Sequence, residues 1–179
     1  MKARDEVQTR RAIEADAEAI AAVHIASMRE AYRTLVPAEG LARIDTRDRT
    51  ERWREHLARG ASITVLAETG GELVGFADFG RCRDDDITAG PVGEVMALYV
   101  HPAVWGRGVG SMLMREALGR LQSDGFAEVS LWVVEGNQRA MEFYEDFGFV
   151  RDGSSRHLEM LGLPTTAVRL RLWSGMMID

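Results

Sequence analysis

The chain has 179 residues, 46% of them hydrophobic and 28% charged, ordinary values for one globular domain with a sizeable core, expected here over residues 1–179. A formal net charge of −6 disfavours nucleic acid as a general partner, and no apolar run approaches the ~20 residues of a membrane span. The single cysteine, Cys82, excludes an internal disulfide framework and makes a cysteine-rich zinc site untenable, and the first residues lack the apolar core of a leader, so the expected location is cytoplasmic.

In chain order, residues 7–13 read as a first strand. Asp16 then stands where a helix N-cap is expected, and Ala19, Ile20, Val23, Ala26 and Ala31 give an amphipathic helix to about residue 35. Pro37 and Gly40 break it. A second helix is expected over 47–59, stopped by Gly60. Residues 62–68 and 72–81 read as a hairpin joined at Gly70-Gly71. The run Asp84-Asp85-Asp86 is expected as a solvated turn, with a cationic substrate as the rival use. Residues 92–100 form the central strand, 109–123 a helix stopped by Gly125, 128–134 a strand and 137–147 a helix stopped by Gly148. Residues 149–158 and 167–173 are the final strands, with 153–166 read as carrying a loop. The β-α-β unit over 92–134 implies a parallel pair with a right-handed crossover, inside a mixed α/β layout.

The segment that carries chemistry runs from Gly93 to Gly110, a strand followed by a Pro-marked turn, a glycine-rich loop and a helix start. Glycines there let backbone N–H groups approach a bulky anion, and the helix adds free donors and the positive end of its dipole. That is a pyrophosphate cradle. A P-loop needs Gly-Lys-Ser/Thr, whereas Gly110 is followed by Ser111 and Met112. A dinucleotide fingerprint needs Gly-x-Gly-x-x-Gly, whereas the glycines fall at 106, 108 and 110. The remaining pattern, Gln/Arg-x-x-Gly-x-Gly/Ala between a strand and a helix, resembles the acyl-coenzyme A loop of the GNAT family of N-acetyltransferases. Trp105-Gly106-Arg107-Gly108-Val109-Gly110 matches it except that Trp105 replaces Gln/Arg. Asn137, Ala140, Tyr144, Gly148 and Phe149 resemble the family's later motif, Asn-x-x-Ala-x-x-x-Tyr-x-x-x-Gly-Phe.

The resemblance implies a mixed, mostly antiparallel central sheet whose parallel strand pair splays into a V flanked by helices. It implies acetyl-CoA as co-substrate and no metal. The backbones of Leu98 and Val100 would pair with pantetheine. Gly106, Arg107, Gly108, Val109, Gly110 and Ser111 would hold pyrophosphate, with one contact in doubt at Trp105. Asn137 would cap its helix and touch the pantetheine arm. Transfer to an amine needs a proton acceptor for the nucleophile and a donor for the thiolate. Tyr144 matches the family's acid. Glu94, eleven residues before Trp105, matches the catalytic glutamate of the histone-acetyltransferase branch. Strand alternation would place Glu94 with Met96, Leu98 and Val100, apolar company that would raise its pKa. His24, His56, His101 and His157 show no metal-ligand spacing. Trp53, Trp132 and Trp173 read as core or interface residues, although Tyr32 and Trp53 could line the acceptor pocket.

The expected activity is direct acetyl transfer in a ternary complex to a primary amine, with a small-molecule acceptor leading. A protein lysine or N-terminus is the alternative acceptor, and a non-catalytic acyl-CoA-binding regulatory module the alternative function. A homodimer is possible by family analogy.

Overall fold

The computed structural model describes residues 6–87 and 90–173; residues 1–5, part of the segment read above for a leader, lie outside them. Seven strands form one sheet in the order β1-β2-β3-β4-β5-β7-β6. They are β1 (Gln8–Arg11), β2 (Ile63–Thr69), β3 (Glu72–Arg81), β4 (Val92–Val100), β5 (Glu128–Val134), β6 (Val150–Met160) and β7 (Leu163–Trp173). Only β4 and β5 pair in parallel; every other neighbouring pair is antiparallel. Helices α1 (Ala17–Ala31), α2 (Ala38–Ala42) and α3 (Thr46–Arg59) precede the hairpin, and α4 (Val109–Ser123) and α5 (Gln138–Asp146) follow β4 and β5.

The sheet separates two cores. On one face α4 and α5 bury Leu113, Met114, Ala117 and Met141 against Val65, Ala77, Phe79, Val95 and Val129. On the other, α1 and α3 bury Ile20, Val23 and Trp53 against Leu66 and Phe76. Each fully buried aliphatic or aromatic side chain contributes about 1.5–3 kcal/mol by leaving water, so the two helical layers clamp the sheet between them.

Local signals explain most of the element ends. Asp45 accepts from Asp48 N at 3.0 Å and starts α3, and Gly60 ends it with φ 59°. Asp16 stands at the α1 N-cap position, but its carboxylate accepts from Ile13 N at 2.8 Å and pairs with Arg10. Helix α1 stops at Ala31 because the chain turns at Tyr32, with Leu35 N and Val36 N bonded to Tyr32 O. Pro37 then opens the short α2 rather than only breaking α1. Gly40 sits inside α2 because a Cβ there would lie 2.9 Å from Val36 Cγ1.

Two corrections concern the sheet. The stretch 153–166 is not a loop. Strands β6 and β7 pair out to Met160↔Leu163, with a bulge between Arg151 and Ser155 and a turn at Leu161-Gly162. Leu161 carries φ 54°, a conformation costly for a γ-branched side chain and supported by the long ladder on either side. In β4 the register slips between Asp78↔Ala97 and Phe79↔Val95, so Met96 is an extra residue. The bulge reverses the alternation, and Glu94 does not share a face with Leu98 and Val100. Val95, Leu98 and Val100 pack on the α4 side, whereas Ala97 and Tyr99 pack on the α1 side.

Candidate active site

Strands β4 and β5 pair only from Val92↔Glu128 to Val95↔Leu131. Beyond that point β4 stays with β3 as far as Gly75↔Val100, and β5 stays with β7 as far as Val134↔Ala167. The two strands therefore splay, and the V leaves backbone groups of β4 and β5 without a strand partner on that side. A cavity of about 720 Å³ fills the V and opens onto both faces of the sheet. Leu98, Val100, Trp105, Gly106, Gly108, Val109, Gly110, Ser111, Asn137 and Tyr144 all line it.

At one end lies the cradle. Gly106 (φ 73°) and Gly108 (φ 85°) occupy left-handed conformations that a side chain would strain, and a Cβ at either would meet nothing within 4 Å. Backbone conformation, with open space above it, therefore calls for both glycines. The first helical bond of α4 is Met112 N to Gly108 O at 3.0 Å. The N–H groups of Val109, Gly110 and Ser111 lie ahead of it and have no partner within the helix, the geometry that suits an anion.

Arg107 departs from expectation. Its side chain is exposed and off the cavity wall, and its N–H is bonded to Val104 O at 3.3 Å. Trp105 makes two contacts that the motif does not announce. Its Nε1 donates to Val100 O at 2.6 Å, and the Arg139 guanidinium stacks 3.8 Å from its ring centroid. Arg139 also lines the cavity, so α5 brings a cation to the cavity wall beside Trp105. The Val100 carbonyl, expected to serve pantetheine, already accepts the indole.

The middle of the cavity is a tyrosine cluster. Asn137 caps α5, its Oδ1 accepting from Ala140 N at 3.3 Å. Burial raises the Tyr32 phenol, and the neighbouring Asn137 and Tyr99 partly offset that rise. Burial, then the neighbouring Tyr32, pushes the Tyr144 phenol well above its ordinary value, so it keeps its proton at neutral pH. Burial does the same to Tyr99.

Glu94 is placed otherwise. It is buried, but Arg83 grips it with Nε at 3.0 Å, Nη2 at 2.9 Å and backbone N at 3.2 Å. It is not on the cavity wall. The apolar company expected for it is replaced by a charge-assisted fork, because the bulge turns it to the other face and Arg83 follows β3 within reach.

The far end of the cavity is formed by residues the motifs do not touch. His24 accepts from Trp53 Nε1 at 3.1 Å and packs 4.1 Å from the Tyr99 ring centroid. Burial, reinforced by the Arg49 charge, lowers its pKa to about 3, so it is neutral. Of the two residues suggested for this region, Tyr32 lines the cavity, whereas Trp53 stands behind His24 in the core. Trp132 also lines the cavity, with Arg156 stacked 4.2 Å from its ring centroid.

The acidic run 84–86 does turn through solvent at Asp85 and Asp86, both exposed, but it is also tied inward. Asp84 and Asp86 hold Arg169, itself 4% exposed, at 3.1 and 2.7 Å, and Asp152 holds it at 2.7 Å. Asp84 also accepts from Trp132 Nε1 at 2.9 Å. The cluster ties the loop after β3 to β6 and β7 and sets the Trp132 wall. No sequence spacing announces it, since its members come from four separate segments. Among the described residues no three His, Cys, Asp or Glu side chains are grouped to hold a metal ion, and no helix is long and apolar enough to cross a membrane.

Residues 25–149 match the model of the acetyltransferase (GNAT) family. The N-acetyltransferase Mb2688 of Mycobacterium bovis is 31% identical over 140 residues, 78% of this chain and 86% of that protein. YuaI of Bacillus subtilis, also named an N-acetyltransferase, is 28% identical over 74% of this chain and 73% of its own length. The mycothiol acetyltransferase of Thermobispora bispora is 40% identical over 86 residues, but the match spans 48% of this chain and only 29% of that protein. In structure, the PaiA N-acetyltransferase of Thermoplasma acidophilum in complex with coenzyme A superposes with a TM-score of 0.74 at 18% identity, over 92% of this chain and 98% of that one. At that identity the likeness is one of fold.

Proposed function

Given that the chain belongs to the GNAT family of acetyltransferases, we propose that it transfers acetyl from acetyl-CoA to the amine of a small acceptor, both held at once in the one cavity. The observation that carries this reading is the continuity of that cavity. The glycine cradle lies at one end, Tyr144 in the middle and a separate side-chain-lined limb beyond the sheet. Pyrophosphate on the Val109–Ser111 N–H groups, with Arg139 beside it, directs the pantetheine arm through the V. The thioester then arrives near Tyr144, and the acceptor enters from the α1 face.

In this mechanism the neutral amine attacks the thioester carbonyl carbon. A C–N bond forms, the C–S bond breaks and the Tyr144 hydroxyl passes its proton to the departing thiolate. The nitrogen's displaced proton leaves through water and restores Tyr144. Holding both substrates in register supplies much of the rate, and no enzyme-bound acetyl intermediate is needed. Glu94 cannot serve as a free base while Arg83 neutralises it. The amine therefore binds as its free base, and the rate follows the acceptor's own pKa. Glu94→Gln should leave the slope of the pH–rate profile unchanged; a slope abolished by the substitution would return Glu94 to the base role.

The deciding experiment pairs binding with turnover. Acetyl-CoA at about 100 times Kd should add about 2.7 kcal/mol to stability, a shift of several degrees that NADPH and ATP do not give. Tyr144→Phe should keep that shift while kcat in a thiol-release assay falls about 10²- to 10⁴-fold. Retained shift with no turnover in the native protein would favour the non-catalytic binding module, and turnover confined to peptides would favour a protein acceptor.

A further inference from the structure

The protein carries a net charge of −6, yet no Asp or Glu lines the cavity. Its ionisable walls are Arg49, Arg139, Arg156 and the neutral His24, besides the tyrosines. These arginines are not equivalent. Arg139 is stacked on Trp105 at the cradle end. Arg156 is stacked on Trp132 and has Asp84 at 4.0 Å. Arg49 projects from the first turns of α3, and among the described residues no carboxylate answers it. Its Nε is buried without any hydrogen-bond partner. Its charge bears on His24 and Tyr99, which places the guanidinium in the limb beyond the sheet. His24 cannot neutralise that charge: Trp53 donates to its Nδ1, leaving Nε2 as the protonated nitrogen.

Arg49 as a whole is half-buried and lines the cavity, and a planar guanidinium that faces a cavity away from carboxylates is a geometrically defined anion receptor. Met28, Ala31, Leu158 and Met160 add apolar wall to the same cavity. We propose that Arg49 is an acceptor-binding residue that receives a carboxylate, so that the acceptor is a small amino-carboxylate with an apolar body. The proposal rests on the acetyl-transfer reading of the same cavity and adds its substrate class. The acidic surface does not enter this limb, which is built against plain cationic amines: an acceptor with no anion leaves Arg49 uncompensated.

The test uses matched sets: an apolar amino acid, its carboxamide and its decarboxylated amine, assayed at fixed acetyl-CoA. The native protein should favour the amino acid in kcat/KM by at least about 10-fold. Arg49→Gln should lower that value roughly 30-fold through KM, and leave the carboxamide within about 2-fold. Arg49→Lys should recover part of the loss, because a point charge replaces the fork. Calorimetry of the corresponding N-acetyl amino acid, with and without coenzyme A, reads the same contact without turnover and should show binding that Arg49→Gln abolishes.

An amide or decarboxylated amine preferred over the acid would overturn the inference. So would N-acetyl amino acid binding that is absent in the native protein or unaltered by Arg49→Gln. The acetyl-CoA melting shift separates the two readings. If it is absent, the transfer reading fails. If it is intact in native protein and variant while no carboxylate preference appears, only this inference fails.

Discussion

The two ends of the cavity are built by different means. The cradle end is a backbone site, in which two left-handed glycines and three free N–H groups at the start of α4 follow one another within six residues. The far end, proposed above for the acceptor, is a side-chain site. His24 comes from α1, Arg49 from α3, Trp132 from β5 and Arg156 from β6, four segments spread from position 24 to position 156 of the chain. A backbone site recognises a shape that many proteins need, so its pattern is short and recurrent. The side-chain site is assembled by packing and can be rebuilt one residue at a time, which suits an end that must discriminate among acceptors.

Substitutions at the two ends should therefore fail differently. The largest effect belongs to Arg169→Ala. Removing the guanidinium leaves Asp84 and Asp152 with only the distant Arg156 at 4.0 Å and Arg171 at 3.9 Å as counter-charges, and loss of one partner from such a cluster costs up to about 3–5 kcal/mol. Chemical denaturation should show it. In protein that still folds, acceptor KM should rise more than acetyl-CoA Kd, because Asp84 also holds Trp132. Equal losses at both ends would mean that the limbs are not independent.

Gly108→Val comes next. The residue sits at φ 85°, and a β-branched side chain there costs about 1–3 kcal/mol of local strain. The acetyl-CoA melting shift should shrink or vanish, while binding of an N-acetyl amino acid without coenzyme A is kept.

Acid should discriminate between two histidines of opposite sign. His24 is held neutral with a folded pKa near 3, below the ordinary value of 6.5. Its unfolded form takes up a proton first, so stability is complete above pH 6.5 and falls as pH drops toward 3, by about 1.4 kcal/mol per unit. His56 is raised by its hydrogen bond to Asp78, which outweighs its burial. Its contribution is complete below pH 6.5 and is lost as pH rises through the folded value. Melting curves from pH 4 to 8 should therefore lose their acid-side slope in His24→Leu and their alkaline-side slope in His56→Gln. An unchanged acid limb in the His24 variant would refute the neutral-histidine wall.

The smallest change is Arg139→Ala. Loss of the cation stacked on Trp105 should weaken acetyl-CoA binding about 5-fold, roughly 1 kcal/mol, with acceptor KM unaltered. No change in Kd would mean that the backbone cradle suffices and that Arg139 serves only to order the indole.

Much of this molecule was legible in its residues. The central strand, the loop, α4 and α5 fall where the glycines, Asn137 and the apolar periods place them, because each of those signals acts within a few residues. Trp105 was legible as a departure but not as an Arg139 platform, since the stacking partner lies thirty-four positions away. Glu94 shows the opposite failure. Its spacing from Trp105 matches a catalytic glutamate, yet one extra residue at Met96 and the approach of Arg83 decide what that carboxylate meets.

By itself the sequence determined the family, the order of elements and the backbone cradle, all of which follow from local conformational preference and short spacings. Only the tertiary structure decided that Arg169 binds Asp84 and Asp86, that β6 and β7 close into one long hairpin and that Arg49 lines the cavity with no carboxylate beside it. Those outcomes are settled by which charges packing brings within hydrogen-bonding distance and which it leaves alone. No pattern along a single strand or helix contains that information.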